Sequence, residues 1–345
     1  MRYRFYSTTE KAWDAMLEAI SEARESIYLE MYIFVDNTPR HAFFEAIKRK
    51  AREGVRVKII IDSFGSSELS REAIEDIRGS GAELMLFSRW FRHTHKKILI
   101  VDEKVAFIGG VNIHRVFLKW KDLQIRLEGP IVNNVSCSFA RTYIMCGGRD
   151  SSVVRFCERR ARLGERARIW FLEHQPPSGK RLIKKHYRSA IARARKSIVI
   201  VTPYLFPRRW MVALLHQAVL RGVEVEMILP RRTDHRLITK TNFFYISALA
   251  STGIRFHIQN EMNHAKVLLV DGKEGVVGSQ NLDILSFDYG IEAGVCFRER
   301  EMIEDLERII EEWKADSVPF DPSMYREKWL DFLIAPVIRL FQTIM

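Results

Sequence analysis

The chain reads as an α/β protein of two similar α/β/α halves, each with a mixed sheet, related by a pseudo-twofold axis. Two observations predict this. The first is a long-period repeat, which outranks local pattern when a fold is read. Residues 19–27, running on to Tyr32-Ile33-Phe34, return as 190–198 and Tyr204-Leu205-Phe206. Residues 53–60 return as 221–228. Residues 95–102, leading to Gly109-Gly110-Val111-Asn112, return as 264–271 and Gly278-Ser279-Gln280-Asn281, an offset of 169 residues from His95 to His264. The second observation is size: 345 residues, 47% of them hydrophobic, exceed what one core needs and hold enough apolar material for two.

Taken in order, each half reads helix, strand, helix, strand and then a strand pair. Residues 19–23 and 190–194 are helix ends feeding strands from Ile27 and Ile198. Gly54 and Gly222 stand where a helix stops, and alternating strands follow from Val55 and Val223. The pair closing each half turns at Asp102-Glu103-Lys104 and at Asp271-Gly272-Lys273. A turn centred between Glu103 and Lys104 sets His95 opposite Asn112, and one between Gly272 and Lys273 sets His264 opposite Asn281. The polar, Arg-rich stretch 159–180, with Pro176 and Pro177, reads as the connection. The predicted units are therefore 1–175, 176–318 and a tail, 319–345, opened by Pro319 and Pro322. In that tail Trp329, Phe332, Leu333, Leu340, Phe341 and Ile344 follow helical spacing. From Trp329 to Met345 a helix is about 26 Å long against a hydrocarbon core of about 30 Å. The tail reads as a helix docked on the protein's own core or, by preference, as an amphipathic helix lying on a bilayer, and not as a span.

The repeated strand pair carries the chemistry. Side chains at i and i+2 share a strand face, so His95 and Lys97 point one way and Lys96 and Ile98 the other. His264 and Lys266 repeat this. A Lys and an Asn offer N–H donors to phosphate oxygens, and a neutral His attacks phosphorus or carries a proton. Two such sets facing each other give one metal-free, cofactor-free phosphodiester site, with His95, Lys97, His264 and Lys266 catalytic and Asn112, Asn281 and Ser279 on the substrate. The glycines and Ser279 before each Asn allow close approach. Asp102 and Asp271 complete the catalytic motif, but stand at turn starts, where Asp commonly bonds local backbone. They read as structural more than chemical.

Fifty-five Lys and Arg against 43 Asp and Glu give a net +12, which points to an anionic partner: nucleic acid, an acidic membrane or a phosphorylated substrate. Four cysteines without C-x-x-C spacing suggest a reducing compartment. No apolar run near Met1 reads as a secretory signal. His93 and His95 share a strand face, but no acidic or thiol pattern converges on them, so metal binding is not expected. Arg89-Trp90-Phe91-Arg92-His93 and Arg208-Arg209-Trp210 read as solvated loops, base-stacking segments or a membrane-facing mouth. Residues 231–236 follow a strand end, where α/β ligands sit, and form a second-rank candidate.

The doubled H-x-K-x4-D-x6-G-G/S-x-N pattern resembles the phospholipase D superfamily over nearly the whole chain. Flanks such as Leu29-Glu30-Met31-Tyr32, Ile61-Asp62-Ser63-Phe64-Gly65-Ser66 and Asn281-Leu282-Asp283-Ile284-Leu285-Ser286 resemble bacterial cardiolipin synthases of the short type, without paired N-terminal membrane helices. The resemblance implies a phosphatidyl group held on one His, His95 by preference, and passed to a lipid alcohol, with two phosphatidylglycerols giving cardiolipin and glycerol. It implies that Asp122 and Glu292 orient the histidines. It also implies anionic phospholipid (phosphatidylglycerol, cardiolipin) and a membrane surface as partners, nucleic acid being disfavoured, and a peripheral or monotopic place on the cytoplasmic face of the bacterial inner membrane. Gly290 and Leu285 depart from the pattern, which has Asn and Arg in many synthases. The alternatives are a phospholipase D or nuclease using water, and a silent binding module, which has no need of two complete His-Lys-Asn sets.

Overall fold

A computed structural model describes residues 2–35, 40–89, 92–158, 168–176 and 179–324. The predicted tail helix, Trp90, Phe91 and much of the predicted connection lie outside the described residues.

The first sheet is built from β1 (Tyr3–Thr8), β2 (Ser26–Met31), β3 (Arg56–Asp62), β4 (Glu83–Phe87), β5 (Ile98–Val101), β6 (Val105–Gly109) and β7 (Lys121–Glu128), in the order β1-β7-β6-β5-β2-β3-β4. The second contains β8 (Ile169–Gln175), β9 (Lys180–Arg181), β10 (Ser197–Val201), β11 (Glu224–Pro230), β12 (Arg255–Gln259), β13 (Val267–Val270), β14 (Glu274–Gly278), β15 (Glu292–Phe297) and β16 (Ser317–Pro319), in the order β16-β12-β11-β10-β13-β14-β15-β8-β9. Six strands of each sheet follow one plan. In the first, β2, β3 and β4 run parallel while β5, β6 and β7 run antiparallel; β10 to β15 repeat this.

Strand β8 lies inside the stretch read as a connection. It pairs with β15 just as β1 pairs with β7, so the second sheet begins at Ile169, ahead of the boundary placed near residue 175. The run Ile169-Trp170-Phe171-Leu172 buries apolar surface against the second half, which outweighs the polar character of its neighbours.

Helices α1 (Thr9–Glu22), α2 (Phe43–Arg52) and α3 (Arg71–Gly79) share an outer core with one face of the first sheet. Helix α4 (Ile131–Met145) packs on its other face, followed by the short α5 (Ser151–Val154). The second half repeats the arrangement with α6 (Leu182–Arg193), α7 (Arg209–Leu220) and α8 (Arg236–Ala250) outside and α9 (Arg300–Ala315) inside. Helices α4 and α9 share a central core with residues of both sheets. Strand alternation feeds these layers: Ile98 and Ile100 enter the central core, Leu99 and Val101 the outer one. With both faces covered, β5 and β13 read as unbroken apolar runs. Among the described residues no helix is long and apolar enough to cross a membrane.

The hairpins differ from the expected register by one residue. Val101 pairs with Val105 and Val270 with Glu274, so each loop holds three residues and not two. Asp102 and Glu103 take φ of 52° and 56°, Asp271 and Gly272 of 55° and 59°. This left-handed step is compensated by the aspartates. Asp102 Oδ1 and Oδ2 accept from the backbone N–H of Arg24 (3.0 Å), Glu25 (2.7 Å) and Ser26 (2.9 Å). Asp271 takes those of Arg195 (3.0 Å), Lys196 (2.7 Å) and Ser197 (3.0 Å). Each aspartate thus ties a hairpin loop to the start of a neighbouring strand, at the end remote from the histidines, and has no place among the reacting groups.

Candidate active site

Where β5 and β13 begin, the two halves are stitched together by short parallel bridges. The His95 N–H donates to the Ile291 carbonyl (2.9 Å), and the Ile291 N–H to that of His93 (3.0 Å). Across the pseudo-twofold the His264 N–H donates to the Lys121 carbonyl (2.7 Å), and the Lys121 N–H to that of Met262 (3.0 Å). These bridges exchange carboxylates between halves. Glu292, from the second half, lies with Oε2 3.1 Å from His95 Nδ1; Asp122, from the first, lies with Oδ2 2.8 Å from His264 Nδ1. Both carboxylates are buried.

This pairing fixes the imidazoles. Burial lowers the pKa of His95 and takes that of His264 down to about 4, against the opposing pull of Glu292 and Asp122. Burial alone would raise the two carboxyls; His95 nevertheless holds Glu292 down to about 2, and His264 holds Asp122 below its usual range. Neutral rings beside ionised carboxylates must donate from Nδ1, which leaves each Nε2 with a free lone pair.

Lys97 and Lys266 are buried behind the histidines, each ammonium donating to its own histidine's carbonyl, at 2.6 Å for Lys97. Burial lowers Lys97 well below its ordinary value and takes Lys266 to about 8. Lys96 turns to the opposite face, as the strand period requires. It pairs with buried Glu30 (2.9 Å) and donates to Thr142 (2.8 Å) on α4.

His95, His264, Asn112, Asn281 and Glu292 line one cavity of about 550 Å³. Asn112 Oδ1 accepts from the Ile33 N–H (3.2 Å), which leaves its amide N–H groups for a ligand. Asn281 Oδ1 is buried without a partner among the described residues. Ser279 does not reach the cavity wall; its hydroxyl donates to Glu292 and so steadies the carboxylate that steadies His95. At the matching place in the first half, a Cβ on Gly110 would stand 2.2 Å from Asp122 Oδ1, so only glycine lets that carboxylate approach. The glycines preceding the asparagines thus admit protein carboxylate and backbone.

Other parts of the wall had no role assigned from the sequence beyond the repeat, the family-like flanks and the second-rank segment 231–236. Tyr32 stacks edge-on to His95 (ring centroids 4.7 Å), while Trp120 and Tyr204 flank His264 (5.5 and 6.0 Å). Buried Asp62 accepts from the N–H groups of Phe64, Gly65 and Thr94 and lies 3.2 Å from His93 Nδ1, which shapes the loop at one side of the cavity. Of the second-rank segment 231–236, Asp234 and His235 line the cavity and Arg231 and Arg232 do not. Asp283 lines it too, its pKa raised to about 6 by burial and the nearby Glu292 charge. In the other basic-aromatic segment Arg209 is exposed, Arg208 pairs with Asp288 (2.5 Å), and half-buried Trp210 packs on Phe287 beneath Lys184 and Arg188.

Comparison with known proteins bears on the family and the fold. The family described as "Cardiolipin synthase, PLD-like domain" matches twice, over residues 16–141 and 187–313. A probable cardiolipin synthase of Bacillus subtilis is 28% identical over 97% of this chain and 71% of its own length. Cardiolipin synthase 1 of Bacillus anthracis is 26% identical over 88% of this chain and 64% of its own length. The chain thus spans about two thirds of these relatives. Among solved structures, phosphatidylserine synthase of Haemophilus influenzae superposes with a TM-score of 0.78 at 15% identity, covering 99% of this chain and 95% of that one. Polyphosphate kinase of Porphyromonas gingivalis gives 0.64 at 14% identity, over all of this chain and 54% of that one. The chain belongs to the cardiolipin synthase, PLD-like domain family.

Proposed function

We propose that this enzyme is a phosphatidyltransferase of the cardiolipin synthase type, converting two phosphatidylglycerols into cardiolipin and glycerol through a phosphohistidine. The observation that carries the reading is the pair of histidines in one cavity, each with Nδ1 held by a buried carboxylate of the other half. In the first step His95 Nε2 attacks phosphorus, and the bond from phosphorus to the glycerol oxygen breaks. His264, charged in the presence of the anionic phosphodiester, gives its Nε2 proton to that oxygen. In the second step the headgroup hydroxyl of another phosphatidylglycerol attacks the phosphoryl group, His264 takes its proton, and the P–N bond breaks. The Asn112 amide offers N–H donors to the phosphoryl oxygens, and Lys97 and Lys266, which stand behind the histidines and outside the cavity wall, add positive charge as the anionic phosphodiester favours their protonated forms.

The second-half wall suits an alcohol. Asn281 Oδ1, Asp234 and Asp283 are acceptors, and the first is buried without a partner among the described residues, a place for a hydroxyl donor. The likeness to cardiolipin synthases supports lipid over nucleic acid as substrate. Anionic phospholipid at a membrane surface is then the partner, with the chain peripheral or monotopic.

Lipid products from purified enzyme on phosphatidylglycerol vesicles test the reading. Cardiolipin and glycerol should form, and added glycerol should drive cardiolipin back to phosphatidylglycerol. Phosphatidic acid as the dominant product at every glycerol concentration would make the enzyme a phospholipase, and faster cleavage of single-stranded DNA or RNA a nuclease.

A further inference from the structure

Of the eight large apolar side chains exposed among the described residues, four belong to the cavity wall or stand next to it in the chain. Phe64 (67% exposed) and Leu285 (65%) line the cavity itself. Val116 (55%) adjoins Phe117, and Leu237 (63%) lies between His235 and Ile238, all three of these neighbours being wall residues. They come from four separate segments, two in each half. The segments around two of them also carry exposed cations: Arg115 and Lys119 beside Val116, and Arg231, Arg232, Arg236 and Lys240 around Leu237 in the first turn of α8. Exposed apolar side chains gathered at one opening mark an interaction surface, and basic neighbours select an anionic one.

We propose that the mouth of the cavity is itself the membrane-binding surface. Phe64, Val116, Leu237 and Leu285 enter an anionic bilayer while the surrounding Arg and Lys side chains meet its phosphates. The inference rests on the phosphatidyltransferase reading and adds a consequence to it. A mouth sealed against lipid admits the headgroup hydroxyl of a neighbouring lipid and shuts out bulk water. When the P–N bond of the phosphohistidine breaks, the new P–O bond then forms to that lipid hydroxyl, whose proton passes to His264. At an open mouth water takes the same place and phosphatidic acid results. Leu285, exposed and part of the cavity wall, extends the apolar rim.

The test uses the full chain with vesicles of phosphatidylglycerol or of phosphatidylcholine, and with soluble dihexanoyl-phosphatidylglycerol below its aggregation threshold. Val116→Ser/Leu237→Ser changes two rim residues outside the cavity wall. Each truncation should weaken partition onto phosphatidylglycerol vesicles by roughly tenfold. Turnover of the soluble lipid should match wild type, and on vesicles the ratio of phosphatidic acid to cardiolipin should rise. Leu237→Trp keeps the bulk and reports directly, with its added indole emission moving to the blue on phosphatidylglycerol vesicles and much less on phosphatidylcholine. A double variant that binds vesicles as tightly as wild type, or a Leu237→Trp variant whose added emission does not move, would overturn the proposal and leave binding to the tail or to diffuse charge. If wild type yields only phosphatidic acid on vesicles while rim variants lose binding, the surface stands and the transferase reading falls.

Discussion

At the residue scale, each histidine is aimed by a side chain that sequence proximity could never suggest. Glu292 is 197 positions from His95, and Asp122 is 142 from His264. The carboxylates keep the Nδ1–H tautomer, so that Nε2 faces phosphorus; an amide in the same place removes the charge and permits the wrong tautomer. Glu292→Gln and Asp122→Asn should therefore fold normally and lower kcat by about 10² to 10⁴, with little change in KM. Steady-state kinetics on phosphatidylglycerol vesicles checks this, and near-wild-type turnover in either variant would remove the orienting role. Only family resemblance marked these two residues in the sequence. Among the aromatic walls Trp120 went unmarked, and Tyr32 and Tyr204 stood out only through the repeat and the family-like flanks, with no role at the site, because the three come from distant segments. Nothing in their local patterns distinguishes them from core aromatics.

At the element scale, period-two alternation was enough to send His95 and Lys97 one way and Lys96 the other, because a strand allows no third direction. Register was harder. A two-residue and a three-residue loop differ by a single position, and the left-handed φ of Asp102 and Glu103 is not a conformation those residues advertise. Strand β8 was hidden for a different reason: its polar, Arg-rich surroundings resemble a linker, and its partner β15 lies more than a hundred residues downstream. The loops give a sharp prediction about motif members that do no chemistry. Asp102→Ala strips acceptors from three backbone N–H groups beyond α1. It should cost about 1–3 kcal/mol and lower Tm by several degrees, while kcat/KM well below the transition stays within about twofold of wild type. Thermal melts beside activity measurements decide it; a fold-neutral loss of activity would return Asp102 to the catalytic set.

At the scale of the whole molecule, duplication explains why the halves do not behave as separable domains. Helices α4 and α9 bury Phe139, Tyr143, Leu306 and Trp313 in a central core fed by both sheets, and removing either half would expose it. The active site is divided in the same manner, since each half supplies one histidine and the carboxylate for the other's. Covalent continuity matters less than this shared surface, because apolar burial and the crossed bridges hold the halves without the connection between them. Two chains, one ending at Glu158 and the other beginning at Arg168, should therefore copurify when expressed together and recover a large part of the wild-type rate. Each chain alone should be poorly soluble and inactive. A cross-test with His264→Ala in the second chain should abolish the rate of the pair even though His95 is intact. Turnover by the first chain alone would mean that a copy of Asp122 can serve His95 in place of Glu292, and the division of labour between halves would then be dispensable.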